Sequence, residues 1–204
     1  MDYDFTSNQS RTPFDFSACN IQVNPNDFNE FVHQSTFNEK ADEPLWNISA
    51  DISKNRIYIS GEKTNSYHAA LIADFIRETL LKNGTSFTIE SVLSDKRKLI
   101  FLEKAKKAGY RVYLYYVATE NPAINISRVH NRVLNGGHNV PYDKIISRYG
   151  RSIELLPHII KQTDRAYIFD NSQSLRFIAE IYNGDKLEQA NQPIPSWLGG
   201  IFSI

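Results

Sequence analysis

Gly109-Tyr110-Arg111-Val112-Tyr113-Leu114-Tyr115-Tyr116-Val117 is the stretch on which the fold class turns. From Arg111 to Val117 it is β-branched and aromatic with few polar breaks, the pattern of a strand covered on both faces. Gly109 closes a helix that begins after Ser94-Asp95, a pair suited to N-capping, and runs through Phe101, Leu102 and Ala105 to Ala108. Further upstream, Ala69, Ala70, Ile72, Ala73, Ile76 and Leu80 recur at helical spacing, with Asn65 or Ser66 placed to cap and Asn83-Gly84 to stop. Between these helices, Ser86-Phe87-Thr88-Ile89-Glu90 reads as a short strand. Downstream, Ile124 to Leu134 is helical, Gly136-Gly137 breaks it, Tyr142 to Gln162 is largely helical again, and Arg165 to Phe169 is the next strand.

This alternation with short connections predicts an α/β fold: a mostly parallel sheet with flanking helices. The chain divides in character into residues 1–64, rich in Asn, Ser, Asp and Phe with weak periodicity; a core over 65–185; and a C-terminal extension over 186–204 in which Trp197, Leu198 and Phe202 offer docking points. No repeat or low-complexity tract interrupts it.

Lys plus Arg and Asp plus Glu are equal at 23 each, so the net field gives no reason to expect a nucleic acid or a membrane as partner. No apolar run reaches the length of a bilayer span, and Met1-Asp2-Tyr3-Asp4 has neither the basic start nor the apolar core of a secretory signal. Cys19 is the single cysteine and has no neighbours at metal-ligand spacing, so no metal site is expected. The expected location is the cytoplasm.

Ligands of parallel α/β sheets sit outside the carboxyl ends of the strands. Three polar segments fall there: Glu90-Ser91-Val92-Leu93-Ser94, Thr119-Glu120-Asn121-Pro122 and Asp170-Asn171-Ser172. Glu90 stands out, because an acid at the end of a buried strand is costly unless something uses it. Positive charge concentrates between Arg128 and Arg151, where Arg128, Arg132, Lys144, Arg148 and Arg151 are opposed only by Asp143. Arg128 and Arg132 share one helix face, as do Arg148 and Arg151, on either side of Gly136-Gly137-His138. Two arginine-bearing arms around a glycine hinge suit a lid that closes over phosphates. The plain alternative is a pair of amphipathic helices with solvated arginines.

Asn65-Ser66-Tyr67-His68-Ala69-Ala70, Ser86 to Ser94, Gly109-Tyr110, the Arg128 to Arg151 stretch with its R-V-x-x-R-V-x-x-G-G-H-x-V-P pattern, and Asp170-Asn171-Ser172 together resemble the zeta-toxin family. The likeness runs over residues 65 to 172. It implies a P-loop-kinase-like fold and a reaction that moves the γ-phosphate of ATP, with Mg2+, to a hydroxyl of a small molecule such as a UDP-amino sugar. By this resemblance Glu90 and Ser94 face the substrate, and Arg128, Arg132, Arg148 and Arg151 contact phosphates. An antitoxin is the partner the resemblance implies.

One departure is as informative as the likeness. Such a kinase needs G-x-x-x-x-G-K-[ST] after its first strand. No glycine precedes Gly61, and Ser60-Gly61-Glu62-Lys63-Thr64 has an extra residue before the lysine and no upstream glycine. The first strand and phosphate loop are thus missing from the pattern. The carboxylate base has two registers: Val23-Asn24-Pro25-Asn26-Asp27 resembles the base motif, with Asp27 as base, whereas Phe14 to Phe31 also resembles a later insertion, which would leave no base here. Three expectations follow: a shortened kinase inactive alone, a binding remnant for a nucleotide, sugar nucleotide or protein partner that self-associates through an open sheet edge, or, least favoured, an RNA binder.

Overall fold

The computed structural model describes residues 14–39, 48–51, 55–59, 66–191 and 194–199. The chain forms two compact units, Met1–Thr88 and Ile89–Ile204. Ser60-Gly61-Glu62-Lys63-Thr64 and Phe202 lie outside the described residues.

In the first unit, β1 (Phe14–Asp15), β2 (Ile48–Asp51) and β3 (Arg56–Ile59) form an antiparallel sheet in the order β1-β3-β2. Two helices, α1 (Pro25–Gln34) and α2 (Ser66–Lys82), complete it. Helix α1 starts where Asn24 accepts the Asn26 N–H at 2.9 Å and Pro25 follows at the first helical position. Phe16 and Phe28 are fully buried, and Phe75 of α2 packs edge-on against both. Asn55, also buried, holds the irregular chain between β1 and α1: it donates to Ile21 O and Ser17 Oγ and accepts from Val23 N. All of its polar valences that face the protein are thereby used.

In the second unit, α3 (Lys96–Lys107) leads to β4 (Tyr113–Ala118), α4 (Pro122–Leu134), α5 (Tyr142–Ile160), β5 (Arg165–Asp170), β6 (Arg176–Tyr182) and β7 (Lys186–Ala190). The sheet order is β4-β5-β6-β7. The Asp95 carboxylate caps α3 by accepting from Arg97 N at 2.9 Å, and Asn121 caps α4 by accepting from Ala123 N at 2.8 Å. Leu156 and Ile160 of α5 pack with Tyr116, Ala118, Ala166, Ile168 and Ile178 of the sheet. Each fully buried aliphatic side chain here is worth roughly 1.5–3 kcal/mol. A buried hydrogen bond between Tyr116 Oη and Ser152 Oγ, 2.9 Å, pins α5 over β4.

The sheet departs from the mostly parallel expectation. Among the described strands only β4 and β5 pair in parallel; β5/β6 and β6/β7 are antiparallel. The reason is connection length: α4 and α5 fill the crossover from β4 to β5, whereas short turns follow β5 and β6, and short turns join only antiparallel neighbours. Asn183-Gly184 makes the second of these turns, with both residues at positive φ. A Cβ on Gly184 would come within 2.9 Å of Lys161 Cα, so glycine is required there twice over. Residues 186–190 thus supply a sheet strand, and Leu198 is fully buried in the core.

Two further expectations are corrected. Ser86–Glu90 forms no strand, although its residues favour one, because propensity without a ladder partner does not make a strand. Strand β4 is covered on one face alone: Tyr116 and Ala118 are buried while Tyr113, Tyr115 and Val117 are exposed. No helix among the described residues is long and apolar enough to cross a membrane.

Candidate functional site

At the carboxyl ends of the parallel pair, the loops after β4 and β5 are laced together. Asn171 N donates to Ala118 O at 2.7 Å, extending the ladder past the strands. The Asp170 carboxylate, nearly buried, accepts from Ser172 N at 2.9 Å and Ser172 Oγ at 2.5 Å, and Arg176 stands 3.7 Å from its other oxygen. Ser172 Oγ in turn accepts the Glu120 N–H at 2.9 Å. Tyr149 of α5 donates its hydroxyl to Thr119 O at 2.8 Å. Burial, then the charges of Asp170 and Glu120, pushes the Tyr149 phenol above its ordinary pKa, so it stays a donor at neutral pH.

Helix α4, the Gly136-Gly137 loop and the start of α5 form the arginine-bearing arm. No side chain of α4 is buried, and the first buried residue of α5 is Ser152. An element with so little burial sits at the low-stability end of its domain, where moving parts are found. Arg128 Nη2 donates to Asn171 O at 2.6 Å, which fixes α4 to the loop after β5. Arg132 Nη2 donates to His138 O at 2.8 Å, across the glycine hinge. Arg151 Nε donates to Ser94 O at 3.1 Å. The Arg148 side chain, exposed on α5, makes no hydrogen bond or ion pair to a described residue.

Of the residues singled out from the sequence, Arg151 and Ser94 are brought together directly, and Arg128 meets the Asp170-Asn171-Ser172 turn. Glu90 is exposed in an extended segment with no ladder, so the expected desolvation of a strand-end acid does not apply to it. Ser94 is half-buried, and Leu93 beside it packs on the core of the second unit. Asp27 belongs to the first unit, on the first turn of α1, with Lys82 Nζ at 3.7 Å from its carboxylate.

Chemically, the arm offers four guanidinium groups against the single carboxylate of Asp143. Each guanidinium carries five N–H donors. Arg128, Arg132 and Arg151 each place one on a backbone carbonyl, which orients the fork and leaves other donors for an anion. That set fits phosphate oxygens. It does not fit a bare cation, and among the described residues no three His, Cys, Asp or Glu side chains cluster as a metal cage. Tyr149, tied to this architecture, was not singled out by sequence reasoning. Tyr149 lies one residue from Arg148 and contacts Thr119 thirty residues away, a pairing that no local pattern reveals.

The family model for the zeta toxin matches residues 50–182, which takes in Glu90, Ser94, all four arginines and Asp170, and excludes Asp27. A Haemophilus influenzae protein described as uncharacterized is 33% identical over 69 residues, 34% of this chain and 49% of its own length. The chain thus matches about half the length of that curated relative. No solved structure matches. With the arginine arm, its glycine hinge and the loops after β4 and β5 all inside the matched span, the chain belongs to the zeta toxin family.

Proposed function

We propose that this chain carries the ligand-gripping part of a small-molecule kinase, of the type that moves the γ-phosphate of ATP to a hydroxyl of a small acceptor such as a UDP-amino sugar. The observation that carries the reading is the Arg151–Ser94 hydrogen bond, which ties the arginine arm to the segment expected to face the acceptor. In this reading Arg128, Arg132, Arg148 and Arg151 take phosphate oxygens, and Glu90 and Ser94 face the acceptor hydroxyl. A magnesium ion bound with the nucleotide would supply charge neutralisation during the transfer.

The sequence contains no G-x-x-x-x-G-K-[ST], whose amides and lysine hold those phosphates. Residues 1–204 are therefore expected to bind a nucleotide or sugar nucleotide without transferring phosphate. Calorimetric titration with Mg-ATP, and separately with a UDP-amino sugar, tests this. Arg148→Ala should weaken Mg-ATP binding roughly tenfold, about 1.4 kcal/mol, with an unchanged melting temperature because the side chain is exposed. Unchanged affinity would sink the arm as a phosphate site. ATP turnover abolished by Lys63→Ala would instead identify Gly61-Glu62-Lys63-Thr64 as a working phosphate loop.

A further inference from the structure

One turn of α5 is tied to three different segments of the second unit. Tyr149 Oη donates to Thr119 O, in the loop after β4, at 2.8 Å. Arg151 Nε donates to Ser94 O, just ahead of α3, at 3.1 Å. Ser152 Oγ shares a hydrogen bond of 2.9 Å with Tyr116 Oη of β4. Tyr149, Ser152 and Leu156 recur at i, i+3 and i+7, so they lie on the face that α5 turns to the sheet.

The three ties are not equivalent. From Ser152 onward α5 is also anchored by packing, since Leu155, Leu156, Ile159 and Ile160 are buried. N-terminal to Ser152 no residue of α5 is buried, so a side-chain hydrogen bond there has to do what packing does further on. The helix adds little stiffness of its own at this point, because Gly150 sits inside it and glycine weakens a helix interior. Thr119 is buried, so its carbonyl also needs the partner that Tyr149 supplies. A carbonyl oxygen only accepts, and the bond therefore exists only while residue 149 presents a hydroxyl.

Arg148 directly precedes Tyr149, so the backbone that Tyr149 holds is the backbone from which Arg148 projects. We infer, on the reading of Arg148 as a phosphate contact, that Tyr149 is the positioning residue of the arm: by holding α5 to Thr119 O it fixes where Arg148 stands relative to the loop after β4. Its part is indirect. Without the hydroxyl, the turn that carries Arg148 is held only from its C-terminal side, by Arg151 and Ser152. A guanidinium that must find its place on binding gives up affinity that a placed one keeps.

Calorimetric titration of residues 1–204 with Mg-ATP tests this in the parent chain, Tyr149→Phe, Arg148→Ala and the double variant. Tyr149→Phe should weaken Mg-ATP about fivefold, the worth of one neutral hydrogen bond. Added to Arg148→Ala it should weaken binding no further, because a residue that acts through Arg148 then has nothing left to place. Amide exchange of Tyr149→Phe without nucleotide should rise several-fold over residues 142–150 and stay unchanged beyond Leu155. Two outcomes overturn the role of Tyr149 while the phosphate reading stands. One is parent-like affinity in Tyr149→Phe; the other is a loss that repeats in full on top of Arg148→Ala, as a general loosening of the fold would give. Unchanged exchange over residues 142–150 overturns it as well, whatever the chain binds. A parent chain that takes up no Mg-ATP fails the phosphate reading itself, and the role of Tyr149 with it.

Discussion

A Cβ on Gly137 would stand 2.5 Å from Arg132 Cγ and 3.0 Å from Arg132 O. The missing side chain is what allows Arg132 to fold back across the hinge and donate to His138 O. Gly137→Ala should therefore push Arg132 out of this position. The expected result is a several-fold loss of Mg-ATP affinity with a stability cost of only about 1 kcal/mol, read by calorimetry beside urea denaturation. A large stability loss with unchanged affinity would mean that the glycine serves the turn and not the arginine. The pairing of glycines with arginines was visible in the sequence, but the contact between them was not, since it depends on where the chain turns after α4. Glu90 shows the opposite case: its place at the end of a strand-like run suggested burial, and the run found no partner strand.

At the scale of elements, α3 was readable from its Asp95 cap, which acts locally, and α4 and α5 from their helical pattern on either side of Gly136-Gly137. The hairpin β6–β7 was not read from the sequence, although Asn183-Gly184 is a turn signal, and the parallel character of the sheet was overestimated accordingly. The joint between α3 and β4 depends on Asp164, which accepts from Lys106 Nζ at 2.8 Å and Val112 N at 2.7 Å. Burial raises the pKa of this carboxyl, but the Lys106 and Val112 hydrogen bonds outweigh it and hold it below the ordinary value. A carboxyl lowered on folding stabilises above its unfolded pKa, and that stability is lost as pH falls through the folded value. Asp164→Asn should thus cost about 1 kcal/mol at neutral pH, discounted for partial exposure. The gap from the parent chain should narrow as the pH falls below about 4, the ordinary carboxyl range, and close below the lowered folded value. A gap that persists in acid would show that charge is not its source.

For the whole molecule, two features set the functional account. The second unit holds a well-packed sheet and α5 core beside an arm, α4 to Arg151, that buries almost nothing. The arm carries donors that match phosphate; Arg128 and Arg151 tether it to backbone carbonyls outside it, and Arg132 bonds His138 O within it. A well-packed base with a loosely packed, arginine-bearing arm is the division expected of a lid. In the first unit α2 was readable from its periodicity, but residues 14–59 were not, because they join its phenylalanine core and the buried Asn55 network as segments with weak periodicity. The most direct measurement is amide hydrogen exchange of residues 1–204 with and without saturating Mg-ATP. The account predicts slowed exchange over residues 128–151 and the Asp170-Asn171-Ser172 loop, with the α5 core beyond Leu155 unchanged. Unaltered exchange across the arm, or protection confined to the first unit, would contradict it.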